Sequence, residues 1–392
     1  MSAGSFMVIA GEPSGDLLAS ELVKALRKDW SPAHGTTELS FFGAGGQRMA
    51  EAGVELAFDM TEHAVVGLVE VLKNYTKFRR LFNQLLALAV ERKPDAILCV
   101  DFSGFNRRFA HAVKQKVRSG ATGGWNPKII QYVSPQVWAS REGRAFKMAS
   151  DFDLLLSIFP FEKDWYAKRL PKFAVEFVGH PLMERYAGFQ RPEVLHKNKP
   201  CLLLLPGSRA GELKRHLPVM RDALRLIEQQ HGVEHKVVLP NQNLLEMART
   251  IAGPNLHFQV GGLAEALTQA DLAVASTGTV TMECAYFGVP TIALYKTSWS
   301  TYEIGKRIIQ VKYLAMPNLL ADEAIFPEYI QDAATPEALA RESLEFIRNE
   351  ARRTIVKAKL RQVVESLGGA GASERAAKAI LGLVSQRNRL EK

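Results

Sequence analysis

The stretch Leu205-Pro206-Gly207-Ser208-Arg209-Ala210-Gly211-Glu212 joins an apolar segment to a helical pattern through a Pro-Gly turn. The apolar run 201–205 predicts a buried strand, because it is short, uninterrupted and ended by turn-forming residues. Apolar side chains then recur at helical spacing, at Leu213, Leu217, Met220 and Leu224. A strand-turn-helix unit of this kind is the repeating element of a doubly wound α/β fold.

The start of that helix has the properties of an anion-binding site. The first N–H groups of a helix have no partner within it, and they lie at the positive end of the helix dipole. Arg209 adds a permanent charge and a two-pronged donor that fits phosphate oxygens. An ion pair between Arg209 and Glu212 or another surface carboxylate explains the same residues equally well. This stretch alone leaves both interpretations open.

Short apolar runs alternate with helical patterns along the chain, which predicts parallel sheets with crossover helices. In the first half the runs are 6–10, 40–42, 96–100, 128–133 and 154–158. After the polar stretch 184–200 they resume at 201–205, 236–239, 272–275 and 291–295. We therefore predict an α/β protein with two doubly wound, Rossmann-like domains facing across a cleft. The predicted divisions are 1–185, 186–345 and a helical segment at 346–392.

The bulk properties are those of a globular protein that binds an anion. At 392 residues the chain is longer than one hydrophobic core usually supports. Its composition, 47% hydrophobic and 23% charged, is that of a globular protein. The net charge of +9 predicts an anionic partner, which nucleic acid, anionic lipid or a phosphorylated small molecule would satisfy. Cys99, Cys201 and Cys284 are far apart and predict reduced core residues. Without a secretion signal or a membrane-spanning run, we expect a cytoplasmic protein.

Ligands of doubly wound sheets bind beyond the carboxyl ends of the strands, so the loops there are the candidate sites. The first strand leads into Gly11-Glu12-Pro13-Ser14-Gly15-Asp16, whose glycines allow a ligand close to the backbone. Helix capping is the simpler role for Ser14 or Asp16. Gly43-Ala44-Gly45 follows the second strand and has Arg48 where a third glycine belongs, which disfavours a dehydrogenase. The P-loop motif of ATPases does not occur.

Asp101 follows the apolar run 96–100 directly. Partial burial at such a strand end raises the pKa of a carboxyl group towards that of a useful general base. From spacing alone, a cap on the following helix is the favoured explanation. Ser134-Pro135-Gln136-Val137-Trp138 follows another strand and has basic residues nearby, which suits a phosphorylated or sugar ligand. Packing of Trp138 at a domain surface is the alternative.

The second half repeats the strand-turn-helix design at Ser276-Thr277-Gly278-Thr279. N–H groups after Gly278 suit a diphosphate, and Glu283 suits ribose hydroxyls, although Glu283 also complements the helix dipole. Asp151-Phe152-Asp153 precedes an apolar run and lies at the wrong end of a strand for metal chemistry. We therefore expect no metal ion.

The segment 65–86 combines apolar residues with interleaved cations. Burial in the core is its favoured interpretation, and a membrane or acyl-chain surface is the second. The residues expected to form that surface are Val65, Val66, Leu68, Val69 and Leu72. Nucleic acid is disfavoured as a partner because these residues match no known nucleic-acid module.

Taken in order, several segments resemble the lipid A disaccharide synthase family, whose members are inverting, metal-independent glycosyltransferases of the two-Rossmann-domain, GT-B type. The matching segments extend over nearly the whole chain: Ala10-Gly11-Glu12-Pro13-Ser14-Gly15-Asp16, Val66-Gly67-Leu68-Val69-Glu70-Val71-Leu72, Tyr132-Val133-Ser134-Pro135-Gln136-Val137-Trp138, Phe177-Val178-Gly179-His180-Pro181, Leu205-Pro206-Gly207-Ser208-Arg209, Gly278-Thr279 through Glu283, and Leu314-Ala315-Met316-Pro317-Asn318-Leu319-Leu320. Each motif is modest alone, and their common order is specific.

The resemblance implies transfer of 2,3-diacylglucosamine from its UDP derivative to 2,3-diacylglucosamine 1-phosphate, which yields a β-1,6-linked disaccharide 1-phosphate and UDP without a cofactor. It implies that Asp101 is the base and that Arg209 lies near the donor diphosphate. Asn318 and Glu283 then line the nucleotide site. It further implies contact of the segment from Val65 to Leu72 with the inner membrane or acyl chains. The carboxyl-terminal helices would return to the first domain or exchange between subunits, which leaves a homodimer open.

Two loops depart from the family's usual residues. The usual Asp-x-Pro-Asp-Phe-Asn is here Asp101-Phe102-Ser103-Gly104-Phe105-Asn106, and Trp-Ala-Trp is Trp138-Ala139-Ser140. The expected mechanism has UDP between the Ser208-Arg209 and Thr277-Gly278-Thr279 helix starts, which stabilise the leaving diphosphate in place of a metal. Three other functions remain open: a UDP-N-acetylglucosamine 2-epimerase, a non-catalytic nucleotide-sugar or lipid-binding protein, and a sister glycosyltransferase that acts on a lipid-linked cell-wall precursor.

Overall fold

The computed structural model describes residues 4–30, 38–61, 75–189 and 199–390. The chain divides into two compact units, Met1–Pro181 with Gly369–Lys392, and Leu182–Gly368. The division after residue 181 lies close to the one that the sequence predicts at 185. The end of the second unit lies well beyond the predicted residue 345.

The first unit is built on a 7-stranded parallel sheet in the order β3-β2-β1-β4-β5-β6-β7. Its described strands are β1 (Gly4–Ala10), β2 (Leu39–Gly45), β3 (Glu55–Asp59), β4 (Ala96–Val100), β5 (Lys128–Tyr132), β6 (Leu154–Ser157) and β7 (Val175–Phe177). The helices that connect them are α1 (Pro13–Asp29), α2 (Gln47–Glu51), α3 (Tyr75–Arg92), α4 (Ser103–Arg118), α5 (Val137–Ser140), α6 (Gly143–Asp151) and α7 (Pro160–Arg169).

The second unit repeats this plan on a 6-stranded parallel sheet in the order β10-β9-β8-β11-β12-β13. Its described strands are β8 (Cys201–Leu205), β9 (Glu234–Leu239), β10 (Phe258–Val260), β11 (Leu272–Ser276), β12 (Thr291–Tyr295) and β13 (Glu328–Ile330). Its helices are α8 (Leu182–Arg185), α9 (Ala210–Glu228), α10 (Gln242–Ala252), α11 (Leu263–Gln269), α12 (Thr279–Tyr286), α13 (Trp299–Ile308), α14 (Met316–Ala321), α15 (Pro336–Arg348) and α16 (Glu350–Ser366).

The central strands are buried and nearly continuously apolar, because helices cover both faces of a parallel sheet. β4 and β8 are buried along their whole length, and Leu213, Leu217, Met220 and Leu224 of α9 all face the core. Cys99, Cys201 and Cys284 are buried and free, as the sequence predicted. The polar exception in β5 is Gln131, which is fully buried.

The strand order reverses between β1 and β4 in the first sheet and between β8 and β11 in the second. Ligands of doubly wound sheets bind at such reversals, outside the carboxyl ends of the strands. The loops at these four strand ends begin at Gly11, Asp101, Pro206 and Thr277. The loops at these reversals are therefore the same loops in which the sequence predicts binding or catalytic residues.

The carboxyl-terminal helices divide between the two units. α15 packs against α9 and α16 packs against α12, so both belong to the second unit. The last helix, α17 (Ala372–Leu390), packs against α1 in the first unit. Arg375 of α17 donates to the carbonyl of Val178 (2.7 Å), and Lys28 pairs with Glu374 (2.6 Å). The group 346–392, treated as one by the sequence prediction, is thus two pieces with different packing.

Among the described helices, none has both the length and the apolar character required to cross a membrane. The predicted apolar surface of Val65, Val66, Leu68, Val69 and Leu72 lies outside the described residues.

Candidate active site

Asp101 lies at the carboxyl end of β4, at the point where the first sheet reverses its strand order. Its backbone N–H donates to the carbonyl of Tyr132 on β5 (2.9 Å). Helix α4 takes Phe102 as its N-cap, so the interpretation of Asp101 as the cap of this helix is wrong. Burial, together with the negative charge of Glu12, raises the pKa of the Asp101 carboxyl. A raised pKa brings a carboxyl group closer to the range in which it exchanges protons near neutral pH.

The glycine loop after β1 packs directly on the Asp101 loop. A Cβ atom on Gly15 would lie 3.5 Å from the Cβ of Asp101, and one on Gly11 would lie 2.3 Å from the ring of Phe102. The glycines therefore serve close packing between two strand-end loops. Because these glycines have no side chain, the backbone of the first loop lies against Asp101 and Phe102 of the second.

Replacement of Gly11 by alanine is expected to lower the free energy of unfolding by about 1–3 kcal/mol, because the new methyl group overlaps the Phe102 ring. Turnover should fall as well, since Phe102 adjoins Asp101. Urea unfolding and kcat measure the two effects. Gly104→Ala, in the first turn of α4, is the control: its Cβ meets nothing within 4 Å, and it should be neutral or stabilising by about 0.5–1 kcal/mol. Equal stability of the two variants would contradict this packing argument.

Ser14 and Asp16 have different environments in the first turn of α1, which takes Glu12 as its N-cap. Ser14 is exposed, whereas Asp16 is buried. The Asp16 carboxylate accepts hydrogen bonds from the backbone N–H groups of Gly46 (2.7 Å), Arg48 (3.0 Å) and Met49 (3.2 Å). Asp16 thus caps α2 instead of its own helix, and it fixes the loop after β2.

Ser134 and Trp138 are buried in the first unit, in a polar cluster around Glu162. The Trp138 indole donates to Glu162 (2.9 Å), and the ring meets Phe161 edge-on at 4.9 Å. The Ser134 hydroxyl lies 3.4 Å from the hydroxyl of Tyr166. Burial raises the pKa of Glu162 to about 7. Trp138 therefore packs inside this unit and supports the loop after β5.

The turn after β8 contains Gly207 with φ of 112° and leads to Arg209, the N-cap of α9. The Glu212 carboxylate folds back over this turn, where it accepts from the N–H of Ser208 (3.2 Å) and lies 3.6 Å from the Arg209 guanidinium. The Arg209 side chain is 73% exposed. The ion pair between Arg209 and Glu212 is therefore formed, and Glu212 occupies the same donor groups that a phosphate would use.

His216 connects this turn to the end of β12, which is two strands away from β8 in the sheet, a role that the sequence prediction missed. Its fully buried ring lies on α9, with Nδ1 2.8 Å from the carbonyl of Pro206. The Lys296 backbone N–H, just after β12, donates to Nε2 (3.0 Å). Because Nε2 accepts a hydrogen bond, the ring is neutral with its proton on Nδ1, and burial lowers its pKa.

The loop after β11 presents an open helix start. Gly278 is the N-cap of α12 with φ of 130°, and a Cβ there would meet nothing within 4 Å. Thr277 precedes Gly278, and Thr279 begins the helix. Glu283 lies in the second turn, so it does not serve as a first-turn charge on the dipole. It accepts a hydrogen bond from the hydroxyl of Tyr186 (2.7 Å), and burial raises its pKa.

Asn318 lies in the interior of the second unit. Its amide nitrogen donates to the Phe326 carbonyl (2.7 Å) and to Glu328 (2.8 Å), and its oxygen accepts from the Phe326 N–H (2.7 Å). Glu328 also accepts from the backbone N–H groups of Leu314 and Ala315. Asn318 thus ties α14 to the segment that leads into β13, and Glu328 holds the residues just before α14.

Comparison with known proteins identifies the family to which this arrangement belongs. Residues 6–381 match the family model described as lipid-A-disaccharide synthetase. The chain belongs to this family. Relatives named lipid-A-disaccharide synthase include those of Geobacter metallireducens, 37% identical with 97% of both chains covered, and Coxiella burnetii, 34% identical with 98% of this chain and 100% of the relative covered. Lipid-A-disaccharide synthases are glycosyltransferases that form a disaccharide, and family membership assigns that activity to this chain.

Solved structures agree with this family assignment at the level of the fold. A putative UDP-N-acetylglucosamine 2-epimerase from Listeria monocytogenes aligns with a TM-score of 0.63 at 15% identity, covering 98% of each chain. MurG from Acinetobacter baumannii aligns with a TM-score of 0.54 at 16% identity, covering 97% of this chain and 100% of that one. Epimerases and glycosyltransferases thus share these two Rossmann-like units with the lipid-A-disaccharide synthases.

Proposed function

We propose that this chain transfers 2,3-diacylglucosamine from its UDP derivative to 2,3-diacylglucosamine 1-phosphate, with inversion and without a metal ion. The observation that carries the proposal is the placement of Asp101 directly after β4, at the reversal of the strand order. Its raised pKa suits a base that accepts the proton of the acceptor 6-hydroxyl while that oxygen attacks the anomeric carbon. The attack is in line with the leaving UDP and therefore inverts the configuration.

The donor half of the proposal rests on the second unit. The Ser208–Arg209 helix start and the Thr277–Gly278–Thr279 helix start follow β8 and β11, which are neighbours in the sheet. Their N–H groups and the Arg209 charge would stabilise the negative charge that develops on the leaving diphosphate. For this to occur, the diphosphate must replace the Glu212 carboxylate on Ser208 and Arg209. Glu283, oriented by Tyr186, would accept from the ribose hydroxyls, and Asn318 would act only through the segment that it orders.

The proposed reaction also needs access to acylated substrates. The residues from Val65 to Leu72 would contact the inner membrane or the acyl chains. On the acceptor side, the proposal includes residues that lie shortly after β1 and β5: Ser14, Gly15, Asp16, Ser134 and Trp138. Arg79 and Arg80, exposed on α3 just after that segment, suit contact with anionic lipid headgroups.

The test is a two-substrate assay with the purified full chain, both diacylated substrates, detergent and a chelator, followed by mass and linkage analysis of the product. We expect a β-1,6-linked disaccharide 1-phosphate and one UDP per product, with neither formed when one substrate is omitted. Loss of turnover in chelator, restored by a divalent cation, would contradict metal independence. Conversion of UDP-N-acetylglucosamine alone to an epimer would instead favour the epimerase.

A further inference from the structure

Three residues at neighbouring strand ends of the first unit have a strained backbone. Asp101 and Phe102 after β4 have φ of 49° and 39°, and Val133 after β5 has φ of 69°. Residues with a side chain rarely adopt positive φ, and a β-branched residue such as valine does so least readily. Such a conformation is energetically costly and persists only where the surrounding structure enforces it.

A single buried side chain joins the two strained strand ends. The amide nitrogen of Gln131 lies within hydrogen-bond distance of the carbonyl oxygens of Asp101 (3.1 Å), Val133 (3.2 Å) and Tyr132 (3.3 Å). Gln131 is fully buried on β5, a strand with apolar neighbours on either side in the sheet. Its two N–H donors are therefore shared among three carbonyls at the ends of β4 and β5.

A second buried amide acts on the same carbonyl from the opposite element. The Asn106 amide on α4 donates to the Asp101 carbonyl (2.9 Å) and to the Val100 carbonyl (3.3 Å). The Asp101 carbonyl is thus held by two side-chain amides, while its N–H donates to Tyr132. Because φ sets the direction of the Cα–Cβ bond, groups that fix this backbone also fix the direction in which the Asp101 side chain leaves the loop.

We propose that Gln131 is a positioning residue for the reaction, which holds Asp101 in its left-handed conformation and thereby aims the carboxylate at the acceptor hydroxyl. The inference rests on the proposed role of Asp101 as the base. An uncharged amide suits this task, since it supplies two donors without burying a charge beside the carboxylate. Within the described residues, the oxygens of Gln131 and Asn106 have no hydrogen-bond partner, which costs stability that an apolar side chain would not cost. Such a cost is expected where a residue is placed for function.

The test compares Gln131→Met, which keeps the length and removes the donors, with Gln259→Met. Gln259 is the matched control in the second unit, where its amide donates to the carbonyls of Gly261 (2.8 Å) and Gly262 (2.9 Å). We expect Gln131→Met to lower kcat about 10–100-fold, since a small misplacement of a reacting group is costly. The KM for the donor and the Kd for UDP should stay within about twofold. In this variant the Asp101 carboxylate is no longer held in place and becomes better hydrated, which lowers its pKa. The acidic limb of the profile of kcat against pH should therefore move to lower pH.

A double variant separates this inference from the proposed function. If Gln131 acts through Asp101, Gln131→Met should lower kcat no further in an Asp101→Asn background. Unchanged kcat in Gln131→Met, or an equal loss in both backgrounds, would overturn the positioning role. Normal turnover of folded Asp101→Asn would instead remove the base from the proposed function. Should Gln131→Met not fold, Asn106→Ala removes the other bonds to the Asp101 carbonyl and must show the same loss of kcat and the same pH shift.

Discussion

Asp101→Asn should lower kcat by about 10²–10⁴-fold, the range that general-base catalysis supplies. Asparagine keeps the size of the side chain and its place after β4, but its neutral amide does not accept the proton of the acceptor hydroxyl. The Kd for UDP, which we assign to the second unit, should change little. Single-turnover rates and UDP titration separate these two quantities.

The control for this variant lies at the other end of the same strand. Asp95 precedes β4 and accepts a hydrogen bond from the N–H of Ser5 (2.9 Å), so it is a structural carboxylate far along the strand from Asp101. Asp95→Asn retains an oxygen that accepts this bond and should turn over normally. Wild-type kcat should also fall as the pH drops through the raised pKa of Asp101, because only the ionised carboxylate is a base. A folded Asp101→Asn protein with near-normal kcat would exclude the base assignment.

The apolar runs predicted the central strands because burial on both faces leaves a continuous apolar signal. The strands that they missed, β3, β7, β10 and β13, are the edge strands of the two described sheets. Their residues are largely half-buried or exposed, so their composition differs little from that of loops. Edge position, not weak propensity, explains these omissions.

The position of a residue in the fold was predictable where it follows a strand directly, as Asp101 does, or follows a short turn after a strand, as Arg209 does. It was not predictable where a side chain acts on a distant segment. Asp16 caps α2 rather than its own helix, and Asn318 bonds to Phe326, eight positions away in the chain. Such partners depend on tertiary packing and leave no local pattern.

Gln131 and His216 did leave a sequence signal. Each is a polar residue in a segment whose other residues predict burial in the core. Gln131 lies in β5, and His216 lies on the apolar side of α9 between Leu213 and Leu217. A buried polar residue requires hydrogen-bond partners, and the nearest unpaired backbone groups are those at strand ends. A polar residue inside an apolar pattern therefore predicts a buried side chain that hydrogen-bonds to a nearby loop and holds that loop in place.

Glu162→Gln should abolish a loss of about 3 kcal/mol in the free energy of unfolding that the wild-type protein undergoes as the pH rises. Glu162 is fully buried, and its pKa of about 7 in the folded protein compares with an ordinary value of 4.5. Between these values the folded protein keeps a proton that the unfolded chain has lost, so wild-type stability falls as the pH rises from 4.5 to 7. At about 1.36 kcal/mol per pH unit, the loss over this window is about 3 kcal/mol, and glutamine does not show it.

The hydrogen bonds around Glu162 make glutamine a fair substitute. The Trp138 indole donates to one carboxyl oxygen (2.9 Å), and a glutamine carbonyl accepts the same bond. The N–H of Phe159 reaches the other oxygen at 3.3 Å and would lose its partner, a cost that is the same at every pH. The difference in unfolding free energy between wild type and Glu162→Gln, followed from pH 5 to pH 8, therefore isolates the titration of Glu162. Tryptophan fluorescence reports unfolding of the first unit, which holds four of the five tryptophans. Glu142→Gln, an exposed carboxylate paired with Arg169 (2.8 Å), is the matched control and should follow the wild-type curve. Parallel curves for wild type and Glu162→Gln would mean that Glu162 is ionised in the folded protein at pH 5, with the donors around it outweighing its burial.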